Sequence, residues 1–120
     1  MASLISHTLF WRLGCVLGAS GVGLGAYGSH GFPRQVNGDE QRVGQWRTAV
    51  QYQMMHSLAL LAAAYSKRSL VASAFLASGT VLFSGTLYLR ALNPDQFSGL
   101  RRLAPTGGML LIFGWLALAV

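Results

Sequence analysis

The stretch LGCVLGASGVGLGAYGS, from Leu13 to Ser29, contains no charged residue. A membrane-spanning helix needs about 20 largely apolar residues, with a working range of about 17–25. Three further segments are also free of charged residues: 48–66, 69–89 and 103–120. Together these segments predict an all-α membrane protein, built as a bundle of four transmembrane helices. The expected spans lie at about residues 10–29, 48–65, 70–89 and 105–120.

The overall composition agrees with a membrane location. Of the 120 residues, 52% are apolar and 10% are charged, whereas roughly a quarter of the residues are charged in ordinary soluble domains. So few charges cannot cover the surface of a soluble protein of this size. We therefore expect residues 1–120 to form a single membrane domain.

The ends of the expected helices are marked in the sequence. The segment Gly28-Ser-His-Gly-Phe-Pro33 is rich in residues that stop a helix. Asp39 is suited to cap the helix that follows. The segment Ser66-Lys-Arg-Ser69 is so short that the second and third spans must be antiparallel neighbours.

Basic residues dominate the few charges that are present. The formal net charge is +6, and most basic side chains stand at the ends of the apolar segments, where they favour contact with anionic lipid head groups. These residues are Arg12, Arg47, Lys67, Arg68, Arg90, Arg101 and Arg102. Because no basic run is interleaved with aromatic residues, membrane lipids are the expected partners and nucleic acid is not.

The distribution of basic residues predicts the orientation in the membrane. The side that holds both termini and the 66–69 turn carries three of them, Arg12, Lys67 and Arg68. The side with the longer loops carries the other six, Arg34, Arg42, Arg47, Arg90, Arg101 and Arg102. Basic loops stay on the cytoplasmic or matrix side. Both termini are therefore expected outside, facing the intermembrane space in a mitochondrial inner membrane.

Part of the first segment, Gly23-Leu-Gly-Ala-Tyr-Gly28, matches the G-x-G-x-x-G pattern of dinucleotide-binding turns. That pattern works only between a strand and a helix, and it needs an acidic residue about 20 positions later for the ribose. Nothing before Gly23 has the pattern of a strand, and residues 46–48 are Trp, Arg and Thr. A nucleotide cofactor is therefore not expected.

The glycines of this segment fit a helix-packing face better. Five of them follow at intervals of 4, 3, 4 and 3 residues: Gly14, Gly18, Gly21, Gly25 and Gly28. This spacing places them along one side of a helix, and small residues let helix backbones approach closely in lipid. Further small residues lie on the third span at Ser73, Ala77, Thr80 and Ser84, and on the fourth at Gly107 and Gly114. We expect the third span to be the partner of the glycine face, with a foreign subunit as the alternative.

Three polar residues are candidates for a function: His30, Gln53 and His56. His30 follows the first span, where it is expected to bond to the last carbonyls of the helix. His56 lies inside the second span, three residues after Gln53, and polar side chains within spans usually pair with one another inside the bundle. Two interpretations of His56 follow: an interhelical hydrogen-bond cluster, or a path for protons or a solute.

Neither cofactor binding nor catalysis is predicted. His30 lies near the membrane interface and His56 about 12 Å deeper, so the two imidazoles do not face each other as a bis-histidine haem requires. Neither histidine has a cysteine or a carboxylate beside it to complete a metal site, and no acid joins a serine–histidine pair. Trp11, Trp46 and Trp115 stand near segment ends, as interface anchors do.

Four blocks of the sequence resemble a known family. They are GAYGSHG (25–31), TAVQYQMMHSLALL (48–61), LFSGTLY (82–88) and LAPTGGMLLIFGWLAL (103–118). The chain resembles the small membrane proteins grouped as domain of unknown function 423, and its ending is most similar to the eukaryotic branch called transmembrane protein 256. The resemblance implies a multi-pass protein of bacterial or mitochondrial membranes, with no catalytic residue or cofactor to carry over. His30 and His56 coincide with the histidines of the family's motifs.

The small size, the lack of a catalytic set and the small-residue faces favour a non-catalytic role. We expect an accessory subunit of a larger, respiratory-type complex in the mitochondrial inner membrane, in contact with other membrane subunits. The alternative is a small transporter or proton-conducting protein centred on His56. An intramembrane enzyme would require a carboxylate from a partner chain.

Overall fold

The computed structural model describes the backbone of residues 2–120 and the side chains of residues 7–120. Five α-helices follow in chain order: α1 (Ala2–Ser29), α2 (Gly31–Gln35), α3 (Glu40–Ala63), α4 (Ser69–Leu92) and α5 (Leu103–Ala119). A 3-10 helix, Ser98–Arg102, precedes α5. No β-strand occurs among the described residues. The expected all-α fold class is confirmed.

Three of the described helical segments are long and apolar enough to cross a membrane: His7–Ser29, Ser69–Leu92 and Ser98–Ala119. They correspond to the first, third and fourth predicted spans. Helix α3, which contains most of the predicted span at residues 48–65, is not among them. Its first turns are charged, and Gln51 and Gln53 lie in its middle, so its composition is more polar than that of the other long helices.

The start of α3 is set by local sequence. Asp39 is the N-cap, as predicted, and its carboxylate accepts hydrogen bonds from the backbone N–H groups of Gln41 at 3.1 Å and Arg42 at 3.3 Å. These bonds satisfy donors that the first turn of a helix leaves free. Just before the cap, Asn37 and Gly38 have positive φ angles of 55° and 73°, which turn the chain from α2 into α3.

The four long helices pack in the order α1, α3, α4, α5. Helix α3 lies against α1 on one side and α4 on the other, and α5 packs on α4. Direct contact between α1 and α4 is slight. The molecule is elongated, with extents of 50 × 26 × 21 Å. Helices α3 and α4 are therefore central, and α1 and α5 lie at the edges.

The glycine face of α1 packs on α3, so the prediction that the third span is its partner was wrong. A β-carbon placed on Gly14 would lie 3.1 Å from the carbonyl oxygen of Ser57, and one on Gly28 would lie 2.8 Å from Nε1 of Trp46. The glycines between them, Gly18, Gly21 and Gly25, meet Ser57, Met54 and Val50 of the same helix. Because α3 lies between α1 and α4, the small residues of α4 are out of reach of this face.

The strip of small residues on α4 is buried inside the molecule. It consists of Ser73, Ala77, Thr80 and Ser84, all of them buried. The Ser84 hydroxyl donates to the carbonyl oxygen of Ala49 on α3 at 2.8 Å. The Thr80 hydroxyl donates to the Leu76 carbonyl oxygen of its own helix at 2.7 Å. This strip therefore joins α4 to α3, and its hydroxyls do not reach α1.

Helices α4 and α5 approach each other most closely at glycines. A β-carbon on Gly107 would lie 2.5 Å from the backbone nitrogen of Phe83, and one on Gly114 would lie 3.2 Å from the backbone nitrogen of Leu76. Gly79, which the sequence pattern did not single out, faces the Gly107 carbonyl oxygen from α4, where a β-carbon would lie 2.9 Å away. Backbone atoms of the two helices therefore meet at Gly79 and Gly107, as small residues allow in membrane helices.

Replacing Gly107 with alanine is expected to destabilise the protein by about 1–3 kcal/mol, because the new methyl group meets backbone atoms that cannot turn aside. Gly108→Ala is the matched control, since its β-carbon would find only the Phe83 ring, at 3.8 Å. That change should not destabilise the protein, and the higher helix propensity of alanine should raise its stability by up to about 1 kcal/mol. Thermal unfolding of the two purified variants in the same detergent measures the difference. Equal midpoints would show that α4 and α5 are further apart than described.

Candidate functional site

The polar side chains in the middle of α3 face the interior of the molecule. Gln53, His56 and Ser57 are 4%, 2% and 3% exposed. Residues three and four apart lie on one side of a helix, so these three form a single polar face. On the other side of α3, Met55 and Leu58 are 54% and 66% exposed. The helix therefore presents these three polar groups to its neighbours, while Met55 and Leu58 face outward.

Gln53 joins three helices through one side-chain amide. Its nitrogen, Nε2, donates to the carbonyl oxygen of Leu17 at 2.8 Å and to the hydroxyl of Ser20 at 2.9 Å, both on α1. Its oxygen, Oε1, accepts a hydrogen bond of 2.6 Å from the hydroxyl of Tyr88 on α4. A glutamine amide has two N–H donors and one carbonyl acceptor, so every one of these groups has a partner.

His56 is held by two hydrogen bonds that define its protonation. Nε1 of Trp115, on α5, lies 3.0 Å from Nε2 of the imidazole, and Nδ1 lies 2.7 Å from the carbonyl oxygen of Tyr52. An indole N–H can only donate, so Nε2 accepts. The proton of the neutral ring is then on Nδ1, which donates to Tyr52. This geometry assigns a neutral imidazole with both nitrogens occupied.

The two occupied nitrogens restrict the chemistry of His56. A metal or haem iron binds a free ring nitrogen, and neither is free here. Protonation of Nε2 would remove the bond from Trp115 and place a charge on a side chain that is 2% exposed. Among the described residues, no group of three or more His, Cys, Asp and Glu side chains is placed to hold a metal ion. The arrangement is that of an interhelical hydrogen-bond cluster.

The fold does not place His30 near His56. It lies at the junction of α1 and α2, where its side chain is exposed and makes no capping bond. Its backbone N–H bonds to the carbonyl oxygens of Ala26 and Tyr27 in the last turn of α1, both at 3.2 Å. The loop end of α3 near this junction carries Trp46, which is about 15 Å along the helix from His56. The two histidines therefore belong to different parts of the molecule.

Two of the three tryptophans take part in internal bonds and are not simple interface anchors as predicted. Trp46 is 4% exposed, stacks on Phe32 with ring centroids 4.5 Å apart and donates to the Leu24 carbonyl oxygen at 2.9 Å. Trp115 is half-exposed and bonds to His56. Both indoles reach partners on other helices. Only the packing of those helices shows this, because sequence spacing does not relate one helix to another.

Arg42 makes a contact between two helices that the sequence did not reveal. Its Nε and Nη2 atoms donate to the carbonyl oxygens of Ala91 and Leu92, each at 2.6 Å. The last carbonyls of a helix lack partners within the helix and carry its partial negative charge. The guanidinium group of α3 therefore caps the end of α4 and binds the two central helices together at the loop side.

A groove of about 960 Å³ runs between α3 and α5 beside His56. Phe83 of α4 and Leu111 of α5 are among the residues that line it, and the lining is largely apolar. The wall residues are Val50, Gln51, Tyr52, Met54, Met55 and His56 on α3, and Pro105, Gly108, Met109, Ile112 and Trp115 on α5. Since α3 and α5 both pack on α4, the space between them is left open. This groove and the polar face of α3 are the candidate site.

Comparison with known proteins supports a membrane assignment. A family model described as "Protein of unknown function (DUF423)" matches residues 24–108. The chain is 41% identical to UPF0382 membrane protein C1782.12c of Schizosaccharomyces pombe, over 92% of this chain and 98% of that protein. It is 37% identical to UPF0382 membrane protein YwdK of Bacillus subtilis, over 93% and 94%, and 37% identical to UPF0382 membrane protein SH2409 of Staphylococcus haemolyticus, over 93% and 93%. No solved structure matches the chain.

Replacement of Gln53 by methionine should destabilise the bundle by about 1–2 kcal/mol. Interhelical hydrogen bonds in membranes contribute about 0.6 kcal/mol on average, and this change removes three of them. Gln51→Met is the matched control, because Gln51 is exposed on the same helix. Unfolding in detergent with increasing dodecyl sulfate measures both variants.

A double-mutant cycle tests the bond to Tyr88 separately. If Tyr88 donates to Gln53, the losses from Gln53→Met and Tyr88→Phe overlap, and the double variant is less destabilised than their sum. Additive losses would show that the two side chains do not interact.

Proposed function

The chain belongs to the family of unknown function designated DUF423, and from this premise we propose that it is a non-catalytic membrane protein whose four long helices all cross the bilayer. The proposed spans keep the predicted order, with α3 as the second span. Both termini lie on one side of the membrane and the basic loops on the other. In this arrangement the protein acts as an accessory subunit of a larger membrane assembly.

The bonding of α3 supports its place as a span despite its polar composition. The helix has 24 residues, or about 36 Å at about 1.5 Å per residue, which exceeds a hydrocarbon core of about 30 Å. Polar groups are tolerated at that depth when they face the protein and are bonded there. Gln53 and His56 meet this condition. The side of α3 that would meet lipid carries Met55 and Leu58.

Labelling of single cysteines tests whether α3 crosses the membrane. In a Cys15→Ala background, Arg34→Cys lies before α3, Lys67→Cys lies after it, and Gln96→Cys lies in the loop after α4; all three native side chains are exposed. In sealed vesicles, a membrane-impermeant maleimide should label Arg34→Cys and Gln96→Cys from one side and Lys67→Cys from the other. If Arg34→Cys and Lys67→Cys react from the same side, α3 does not cross.

The absence of a reactive constellation at the candidate site supports the non-catalytic role. The polar groups of Gln53 and His56 are all hydrogen-bonded, and each of these bonds joins two helices except the one from His56 Nδ1 to the Tyr52 carbonyl oxygen, which lies within α3. No carboxylate occurs within the four predicted spans. A proton path through His56 would have to break its bond to Trp115 at each transfer, so this geometry favours a structural role for the histidine.

A second small-residue face on α1 is the observation that carries the accessory-subunit proposal. It consists of Cys15, Ala19, Gly23 and Ala26, all of them exposed, and Val22, which is 63% exposed, lies on the same face. No atom of the described chain lies within 4 Å of a β-carbon placed on Gly23. The opposite face of α1 packs on α3 through glycines of similar spacing. Small residues allow close helix contact in lipid, so the free face is suited to a helix of another subunit.

The location that we propose in a eukaryotic cell is the mitochondrial inner membrane. Relatives occur in Bacillus subtilis and Staphylococcus haemolyticus, which have no such organelle. The role of the family must therefore be one that a bacterial membrane also requires. An accessory position in a respiratory-type assembly satisfies both conditions, and we propose it for this chain.

Gly23→Leu is expected to release the protein from its assembly without unfolding it. The leucine side chain has open space within this chain, but it would occupy the room that a partner helix needs. Gly85→Leu on α4 is the matched control, because a β-carbon there also meets no atom within 4 Å. Membranes are solubilised in mild detergent and the size of the native protein complex is measured. Only the Gly23→Leu variant should migrate as a smaller species than the wild type. A wild-type protein that migrates as a free monomer would refute the proposal.

A further inference from the structure

The groove between α3 and α5 has the shape and surface of a lipid site. We propose that it binds the acyl chain of an anionic phospholipid, whose phosphate is held at the loop end by Arg47, Arg101 and Arg102. The proposal rests on the arrangement above in which α3 and α5 both cross the bilayer. It adds a specific ligand class and a defined site to that arrangement.

The length of the groove matches one leaflet. On α5 its lining extends from Pro105 to Trp115, a distance of about 15 Å along the helix axis. The hydrocarbon core of a bilayer is about 30 Å thick, so the groove covers about half of it. A phospholipid of the leaflet on the loop side can therefore place one acyl chain along the groove with its head group at the basic end.

The lining of the groove favours hydrocarbon over a polar ligand. Met54, Met55 and Met109 line it together with Ile112 and Phe83, and methionine side chains adapt to irregular apolar shapes. The imidazole that lines it offers no free nitrogen, because both ring nitrogens are already bonded. A ligand in the groove thus meets mainly carbon and sulfur, which suits an acyl chain.

Basic residues precede the groove-lining segments of both α3 and α5 in the sequence, on the loop side of the molecule. Arg101 and Arg102 immediately precede α5, three to four residues before Pro105. Arg47 lies one helical turn before Gln51, which lines the opposite wall, and it also lines a smaller cleft between α3 and α1 beside Gly28. All three arginine side chains are exposed. Guanidinium groups bind phosphate through paired hydrogen bonds, so the charge at this end complements an anionic head group.

The same charges disfavour a second copy of the chain as the occupant. A twofold dimer through this groove would place the same surface patch of each protomer against the other. The three arginines of one copy would then approach those of the next, and like charges brought together repel. These charges attract an anionic lipid, whereas they repel one another in a symmetric dimer.

Competition between two phospholipids tests the head-group contact. The purified protein is incubated with equal amounts of phosphatidylglycerol and phosphatidylcholine that carry the same acyl chains, and retained lipid is measured by native mass spectrometry. The wild type should retain phosphatidylglycerol preferentially. In the Arg101→Gln/Arg102→Gln variant, the ratio of retained phosphatidylglycerol to phosphatidylcholine should fall by about fivefold for each arginine removed. Lys67→Gln/Arg68→Gln, at the opposite end of the spans, is the charge-matched control and should keep it.

A second variant tests the acyl-chain contact. Gly108 lines the groove, and a β-carbon there would lie 3.8 Å from the Phe83 ring. Gly108→Leu should therefore fill the groove and reduce retained phosphatidylglycerol at least threefold, while the unfolding midpoint stays near that of the wild type. Gly85→Leu, outside this groove, should leave retention unchanged.

Three results would overturn the lipid site. The first is equal retention of both lipids by the wild type. The second is a concentration-dependent dimer that Gly108→Leu abolishes, which would make a second copy the occupant. The third is cross-linking of Ile112→Cys to another protein in native membranes, which would make a partner helix the occupant. If cysteine labelling shows that α3 does not cross, the four-span arrangement fails on that result, independently of lipid retention.

Discussion

Polar groups inside a bilayer must find their partners within the protein, since hydrocarbon offers none, and in the proposed four-span arrangement the packing around α3 meets this requirement. Its Gln53 amide binds α1 through Leu17 and Ser20, and α4 through Tyr88. Its His56 imidazole accepts a bond from Trp115 of α5. The least apolar of the long helices is thus connected to each of the others. Its central position is the one in which its polar side chains are satisfied.

Close backbone contact complements these bonds. Because apolar burial does not drive helices together in lipid, packing depends on how near the backbones can come. The glycine face of α1 permits this against α3, and Gly79, Gly107 and Gly114 permit it between α4 and α5. Helices α3 and α4, in contrast, are joined by specific bonds from Ser84 to a backbone carbonyl and from Arg42 to the end of α4. Glycine contacts therefore let the edge helices approach closely, while hydrogen bonds connect α3 with α4 and also with both edge helices.

The packing of the four long helices leaves two surfaces that no other helix of the described chain covers. The outer face of α1 carries small residues with no neighbour, and the groove between α3 and α5 carries apolar walls with arginines at one end. The polar groups of Gln53 and His56 are already hydrogen-bonded. Other molecules can therefore bind only on the outside of the bundle. We propose that a helix of another subunit binds the first surface and that an anionic lipid binds the second.

The sequence by itself determined the helical class, the apolar segments and the cap at Asp39, because each depends on residues near one another in the chain. It also placed the glycines of α1 on one face, since helical periodicity is local. Only the tertiary structure decided that this face meets α3 and not α4, because small-residue faces are alike and their spacing does not specify a partner. The bond between His56 and Trp115 joins residues 59 positions apart. Such a pairing depends on the angle and depth at which helices cross, and both are set by the packing of the whole bundle.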